Sequence, residues 1–242
     1  MNTVLDALSK AFTDLWQPRI LALALLPPLA AIAVWATLAW TFAGDWARLI
    51  TDWVAATPWL SWGQNWGLPS FFVWAGGIAA LALTLPLALI AAVLVTDLIA
   101  MPVIVPFIAQ RHFPQLEQRK GGTVAGSVVN AVIAVTLFIA MWIVSIPFWF
   151  TGIGALVLPP LISAYFNQRM FRYDAMAEHA NPEEYARIIR GSRGDLFVLG
   201  LLLSLLLYVP LINLMVPVLS ALAFTHFCRG RLSRVRAAEQ QR

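Results

Sequence analysis

Residues 196–227 read LFVLGLLLSLLLYVPLINLMVPVLSALAFTHF, and the way this stretch is interrupted decides the architecture. It is apolar enough for a membrane segment. Its arms, however, are short. Residues 196–209 form the first, the break runs from Pro210 to Pro217, and residues 218–227 form the second. At about 1.5 Å per helical residue the second arm covers roughly 15 Å, half of a ~30 Å hydrocarbon core. Basic residues stand at both ends, Arg187, Arg190 and Arg193 before it and Arg229 after it. The chain therefore returns to the side it left, as a re-entrant helical hairpin. Its apex is non-helical backbone at membrane depth, which is tolerated only when buried in protein or lining a polar cavity.

Residues 123–168 repeat the shape. A long apolar arm breaks at Pro147 and at Gly152 and Gly154, and a short arm over 155–166 leads back to Arg169. That return arm covers about 18 Å, again too little to cross. Two longer runs precede the hairpins. Residues 20–43 are expected to span the membrane with a bend at Pro27-Pro28. Residues 70–96 form the second expected span, followed by an irregular descent through Asp97, Pro102 and Pro106 to a basic loop at 109–122. Trp40, Trp46, Trp53, Trp59, Trp62 and Trp66 read as an aromatic belt at the outer interface.

The charges agree with this threading. Of the sixteen Lys and Arg residues, only Arg48 falls outside the segments assigned to one side. Basic loops remain cytoplasmic, so both termini are expected in the cytosol of a cell with an inner membrane. The net charge of +4 is then a matter of topology and lipid headgroups, not nucleic-acid binding. Within residues 1–18, residues 3–16 form an amphipathic helix with Leu5, Leu8, Phe12 and Leu15 on one face beside Val4, Ala11 and Trp16. It rests in the interface or packs on the cytosolic side of the protein itself. Residues 181–190 form a cytosolic helix, with Asn181 as N-cap, Pro182 at its first position and Glu184 completing a capping box. Glu183 and Arg187 are spaced as an i, i+4 ion pair on its face. The whole chain, 1–242, reads as one all-α membrane domain: two long transmembrane helices, two half-inserted hairpins and an interfacial helix.

The order of these features resembles a known family. The junction Tyr165-Phe166-Asn167-Gln168-Arg169-Met170-Phe171-Arg172-Tyr173-Asp174, the Glu/Arg-rich helix behind it, the apex residues Pro210, Asn213, Leu214, Pro217 and Val218, and the stretch 97–111 are similar to those of the CysZ, or etoposide-induced protein 2.4, family. The resemblance implies an inner-membrane homo-oligomer. For the bacterial members it implies sulfate uptake that feeds cysteine synthesis. It also implies an anion site at the cytosolic start of the first span, where main-chain N–H groups and arginines meet sulfate. The corresponding segment is Trp16-Gln17-Pro18-Arg19-Ile20-Leu21, which keeps the proline and one arginine but lacks the glycine and the second basic residue.

Four residues are candidates for substrate contact. Arg19 is an anion ligand or a headgroup anchor. Asp97 is an intramembrane acid, functional by default, or a cap near the cytosolic end. Asn213 closes the second apex by hydrogen bonding or lines a path. Arg172, with Arg169 and Asp174, gates a cytosolic mouth or forms a solvated network. No cofactor or metal is expected: His112, His179 and His226 do not stand at ligand spacings, and no HExxH or Gly-x-Ser-x-Gly occurs. Cys228 reads as an inert apolar residue. The chain is not expected to be an enzyme. An anion permease or channel is the first functional class, and a non-transporting membrane scaffold or regulator the second.

Overall fold

The computed structural model describes residues 2–26, 96–209 and 212–241, with residues 29, 37, 40, 41, 90 and 94 between them. Most of the expected spans 20–43 and 70–96, the remaining tryptophans of the belt, Arg48 and Pro210 lie outside the described residues. The chain divides into two units, residues 1–25 with 90–242 and residues 26–89. In the second unit the Thr41 hydroxyl donates to the Thr37 carbonyl at 2.9 Å, one helical turn back.

The first unit is helical throughout its described elements. Helix α1 spans Asn2–Leu15, and a helical stretch follows at 18–25. A π-helical turn, Thr96–Ala100, leads into α2, Met101–His112. Then come α3 (Val124–Trp149), α4 (Ile153–Ala177), α5 (Pro182–Gly191), α6 (Arg193–Leu206), a 3-10 turn at Ile212–Leu214, and α7 (Val216–Gln240).

Helices α3 and α4 form one antiparallel hairpin, and α6 and α7 another. In the first, the helix runs through Pro147 and ends at Trp149. Gly154 also lies inside a helix, so of the three expected breakers only Gly152 breaks the chain. Its φ of 72° is the left-handed region that glycine adopts without a Cβ clash. Thr151 finishes the turn: its hydroxyl donates to the Phe148 carbonyl at 2.7 Å and accepts the Gly154 N–H at 3.0 Å. The expected return arm, 155–166, is the apolar first half of a longer helix: α4 is 25 residues long and runs on past Arg169 and Arg172 to Ala177, with Pro159 and Pro160 accommodated inside it. The second break matches its expected place, between Leu206 and Val216, with Pro217 in the first turn of α7 where a missing N–H costs nothing.

Packing follows side-chain size. Helix α6 meets α4 at Gly200, where a Cβ would stand 2.6 Å from the Ala164 carbonyl oxygen. Phe138 of α3 sits 4.7 Å, centroid to centroid, from Phe166 of α4. Helix α7 is enclosed on every side: each residue from Val218 to Arg229 is buried. Helix α1 lies against it through Val4, Ala7, Ala11 and Leu15, while Leu5, Phe12 and Trp16 face outward. The expected face is thus divided. The alanines permit close approach to α7, so the small-residue stripe takes the protein contact and the bulky stripe is left outside.

Candidate functional site

The polar side chains of the first unit gather at the roots of the two hairpins, where the 113–122 loop, the end of α4, α5 and the second half of α7 meet. Glu184 is the hub. Its capping box is closed in both directions: the Asn181 side chain accepts the Glu184 N–H at 2.8 Å, and Glu184 accepts the Asn181 N–H at 2.9 Å. The same carboxylate takes a two-pronged contact from Arg236, 2.9 Å from Nε and 3.0 Å from Nη2, and a third from Arg119 at 2.8 Å. Burial alone raises a carboxyl's pKa. Here the Arg236 and Asn181 hydrogen bonds and the charges of Arg236 and Arg119 outweigh it, and Glu184 is held below its ordinary value. Arg236 also donates to the carbonyls of Glu117, at 2.7 Å, and His179, at 2.5 Å. A cavity of about 500 Å³ opens beside this hub, lined by His112, Glu117, Arg119, Ser233 and Arg236 among others.

Arg229 differs from Arg236. It is wholly buried, yet among the described residues its one hydrogen-bond contact is to His179 Nδ1 at 3.2 Å, and its Nε and Nη1 have no partner there. Burial lowers its pKa to about 10, against a smaller favourable effect of Glu178, so it remains a cation at neutral pH. Arg169 and Arg172 of α4, both half-buried, likewise have an Nε with no partner. Arg172 and Arg229 both act on Cys228, whose thiol burial nevertheless pushes up to about 12. Cys228 is therefore a protonated, inert side chain. Buried N–H donors of a cation that lack hydrogen-bond partners are costly, even with Glu178 acting at a distance.

The candidates from the sequence are dispersed. Arg19 is exposed in the helical stretch after α1. Asp97 lies in the π-helical turn, its side chain outside the described residues. Asn213 is exposed on the 3-10 turn of the second apex, where its backbone N–H donates to Val209 O at 3.1 Å. Only Arg172 lies in the cluster. Asp174 does not pair with it: its carboxylate accepts from the Ser127 hydroxyl. Arg187 pairs with Glu239 at the end of α7, not with Glu183 one turn away. Arg229 and Arg236 were not among the candidates. The available signal was their spacing of seven, which puts both on one face of α7, the face that α4 and α5 cover.

The family described as Sulfate transporter CysZ/Etoposide-induced protein 2.4 matches residues 7–217. The chain belongs to the CysZ/etoposide-induced protein 2.4 family. No curated protein and no solved structure matches it. Membership makes it a CysZ-like membrane protein of a transporter-type family. Among the described residues one helix, α3, is long and apolar enough to cross a membrane.

Proposed function

We propose that this protein is an inner-membrane anion permease or channel of the sulfate-uptake kind, acting as a homo-oligomer without a cofactor and without enzymatic activity. The observation that carries the reading is Arg229, a buried cation with two donors unpartnered among the described residues, beside Arg169 and Arg172 with one each. An oxyanion accepts several charge-assisted hydrogen bonds at once, and arginine's planar fork suits it. The cluster lies where both hairpins root, on the side that the basic loops assign to the cytosol. Anions would meet it after crossing between the hairpins. Both termini are then cytoplasmic, residues 20–43 and 70–96 span the bilayer, and 123–168 and 196–227 are re-entrant. The outward stripe Leu5, Phe12 and Trp16 rests in the lipid interface. Arg19, Asp97 and Asn213 line the path with Arg172.

Uptake of radiolabelled sulfate into proteoliposomes holding this protein alone tests the reading. Flux above that of empty vesicles, reduced in Arg229→Gln with assembly size unchanged, is the expected result. Flux equal to that of empty vesicles would leave the family's non-transporting alternative, a membrane scaffold. Flux unaffected by Arg229→Gln would remove the buried arginine from the path, and Arg19→Ala is the comparison that then locates the anion contact.

A further inference from the structure

Three side chains remote in sequence converge on one point away from the arginine cluster. Asp14 comes from the last turn of α1, His112 from the end of α2 and His226 from the middle of α7. The Nε2 atoms of His112 and His226 lie 2.9 and 2.8 Å from the same carboxylate oxygen, Asp14 Oδ2. One ligating atom from each of the three falls within 4.8 Å of the other two. We propose that Asp14, His112 and His226 bind one divalent first-row transition-metal ion, which clamps α1 and α2 to α7.

Four features argue for an ion over a plain hydrogen-bonded triad. The donor set comes first: two imidazoles and one carboxylate suit a divalent first-row metal, and the three leave further positions open for water. Spacing is the second. Ligands about 2.1 Å from a common metal stand roughly 3.0 Å apart at octahedral angles and roughly 3.4 Å apart at tetrahedral ones, so the two imidazole–carboxylate separations need only a small outward shift of the rings, and the two imidazoles are within reach of one ion. The third is charge. Asp14 is 1% exposed, so water does not solvate its carboxylate. The nearest guanidinium, Arg111, is half-exposed and stands 3.8 Å from the other oxygen, Oδ1. A divalent cation on Oδ2 supplies the missing charge. Access is the fourth. His226 is buried, but the His112 side chain is 27% exposed and lines the 500 Å³ cavity, which gives an ion and its waters a route in. Among the described residues His226 Nδ1 has no partner, so the ring's polar engagement there runs through Nε2.

The full chain, purified in detergent with a tag that contains no histidine and stripped with a chelator, tests this directly. Titration with Co²⁺ should give visible ligand-field bands that saturate at one ion per chain, and Zn²⁺ should bleach them by displacement. His112→Ala and His226→Ala should each weaken binding at least about tenfold. His179→Ala, which removes the third histidine, should leave it unchanged. Zn²⁺ should also raise the thermal midpoint of wild type and not of His112→Ala. A stripped wild type that takes up no stoichiometric metal would overturn the proposal, and so would ligand-field bands that persist in His112→Ala. Because His226 is buried and its variant could unfold, wild-type stoichiometry and the half-exposed His112 decide the matter by themselves.

Discussion

Helices α3 and α7 are nearly equal in length and opposite in environment. Helix α3 carries no charged residue across Val124–Trp149, yet Val128, Val129, Val132, Ile133, Ile139, Ile143 and Val144 are all exposed. Helix α7 carries Ser220, Thr225, His226, Arg229 and Arg236, and all five are buried. In water this arrangement is upside down, because apolar surface is driven inward and charge outward. The inversion resolves when the two helices have different solvents. The apolar wall of α3 fits hydrocarbon. The polar residues of α7 fit a protein interior that satisfies most of them and keeps a few donors of Arg229 in reserve. The exposure of α3 and the burial of Arg229 thus belong together: an apolar helix face and a charged interior ask for different surroundings.

Truncation should separate the helices most sharply. Phe224 of α7 is wholly buried and stacked 6.3 Å from Phe171 of α4. Phe224→Ala should destabilise the protein by about 3–5 kcal/mol. Ile143→Ala on α3, at a site 59% exposed, should cost no more than about 0.5 kcal/mol in detergent. Thermal unfolding followed by circular dichroism reads both. Equal losses would mean that α3 is covered by protein, for example by a second copy of the chain, and would break the comparison.

Charge insertion probes the solvent itself. Val132 is 59% exposed in the middle third of α3. If lipid covers it, Val132→Arg should disfavour membrane insertion by about 2.5–3.5 kcal/mol and lower the yield in the membrane fraction. If water covers it, the same change should leave yield unchanged or improve solubility. Arg229→Gln acts on the other half of the comparison. Loss of a charge-assisted contact to a bound oxyanion should weaken sulfate binding by about 1.5–3 kcal/mol. With no anion at the site, removing an unpaired buried charge should instead raise the thermal midpoint, so the two readings differ in sign.

The sequence disclosed what depends on neighbours along the chain. The Asn181–Glu184 capping box, the break at Gly152 and the break before Pro217 all follow from local backbone chemistry. What depends on distant partners was hidden. Arg169 marks the end of the apolar stretch, but α4 continues because Phe171, Ala175 and Met176 pack on the core beyond it. Arg187 chose Glu239, fifty-two residues away, over Glu183 beside it. Asp14 is the instructive omission. It follows Ala7 by seven and Ala11 by three, which puts an acid on the buried stripe of α1, a stripe that the expected face covered only through Val4, Ala11 and Leu15. His112 and His226 gave no local sign, since their meeting depends on how α2 and α7 are packed.

The smallest expected effect concerns pH. Helix α3 has no titratable side chain, whereas the hairpin roots hold His179, which is buried and touches Arg229. Burial first, then the charges of Arg229 and Arg236, lower the His179 pKa from 6.5 to about 4. The folded state therefore keeps this ring neutral while the unfolded chain protonates it below about 6.5. In that window the unfolded state binds more protons, so stability falls as the pH drops from 6.5 toward 4, and it is fully present above 6.5. One such group contributes a slope of at most about 1.4 kcal/mol per pH unit. Glu184, with its lowered pKa, adds a loss of the same sign only below about 4.5, so the two windows are separable. His179→Gln keeps an acceptor for Arg229 but cannot take up a proton. Its thermal midpoint should decline less steeply than wild type between pH 6.5 and 5, with the two curves converging above neutrality up to a constant offset. Parallel curves through that interval would move the pH sensitivity away from the Arg229 centre and leave the buried cation without a neutral neighbour to depend on.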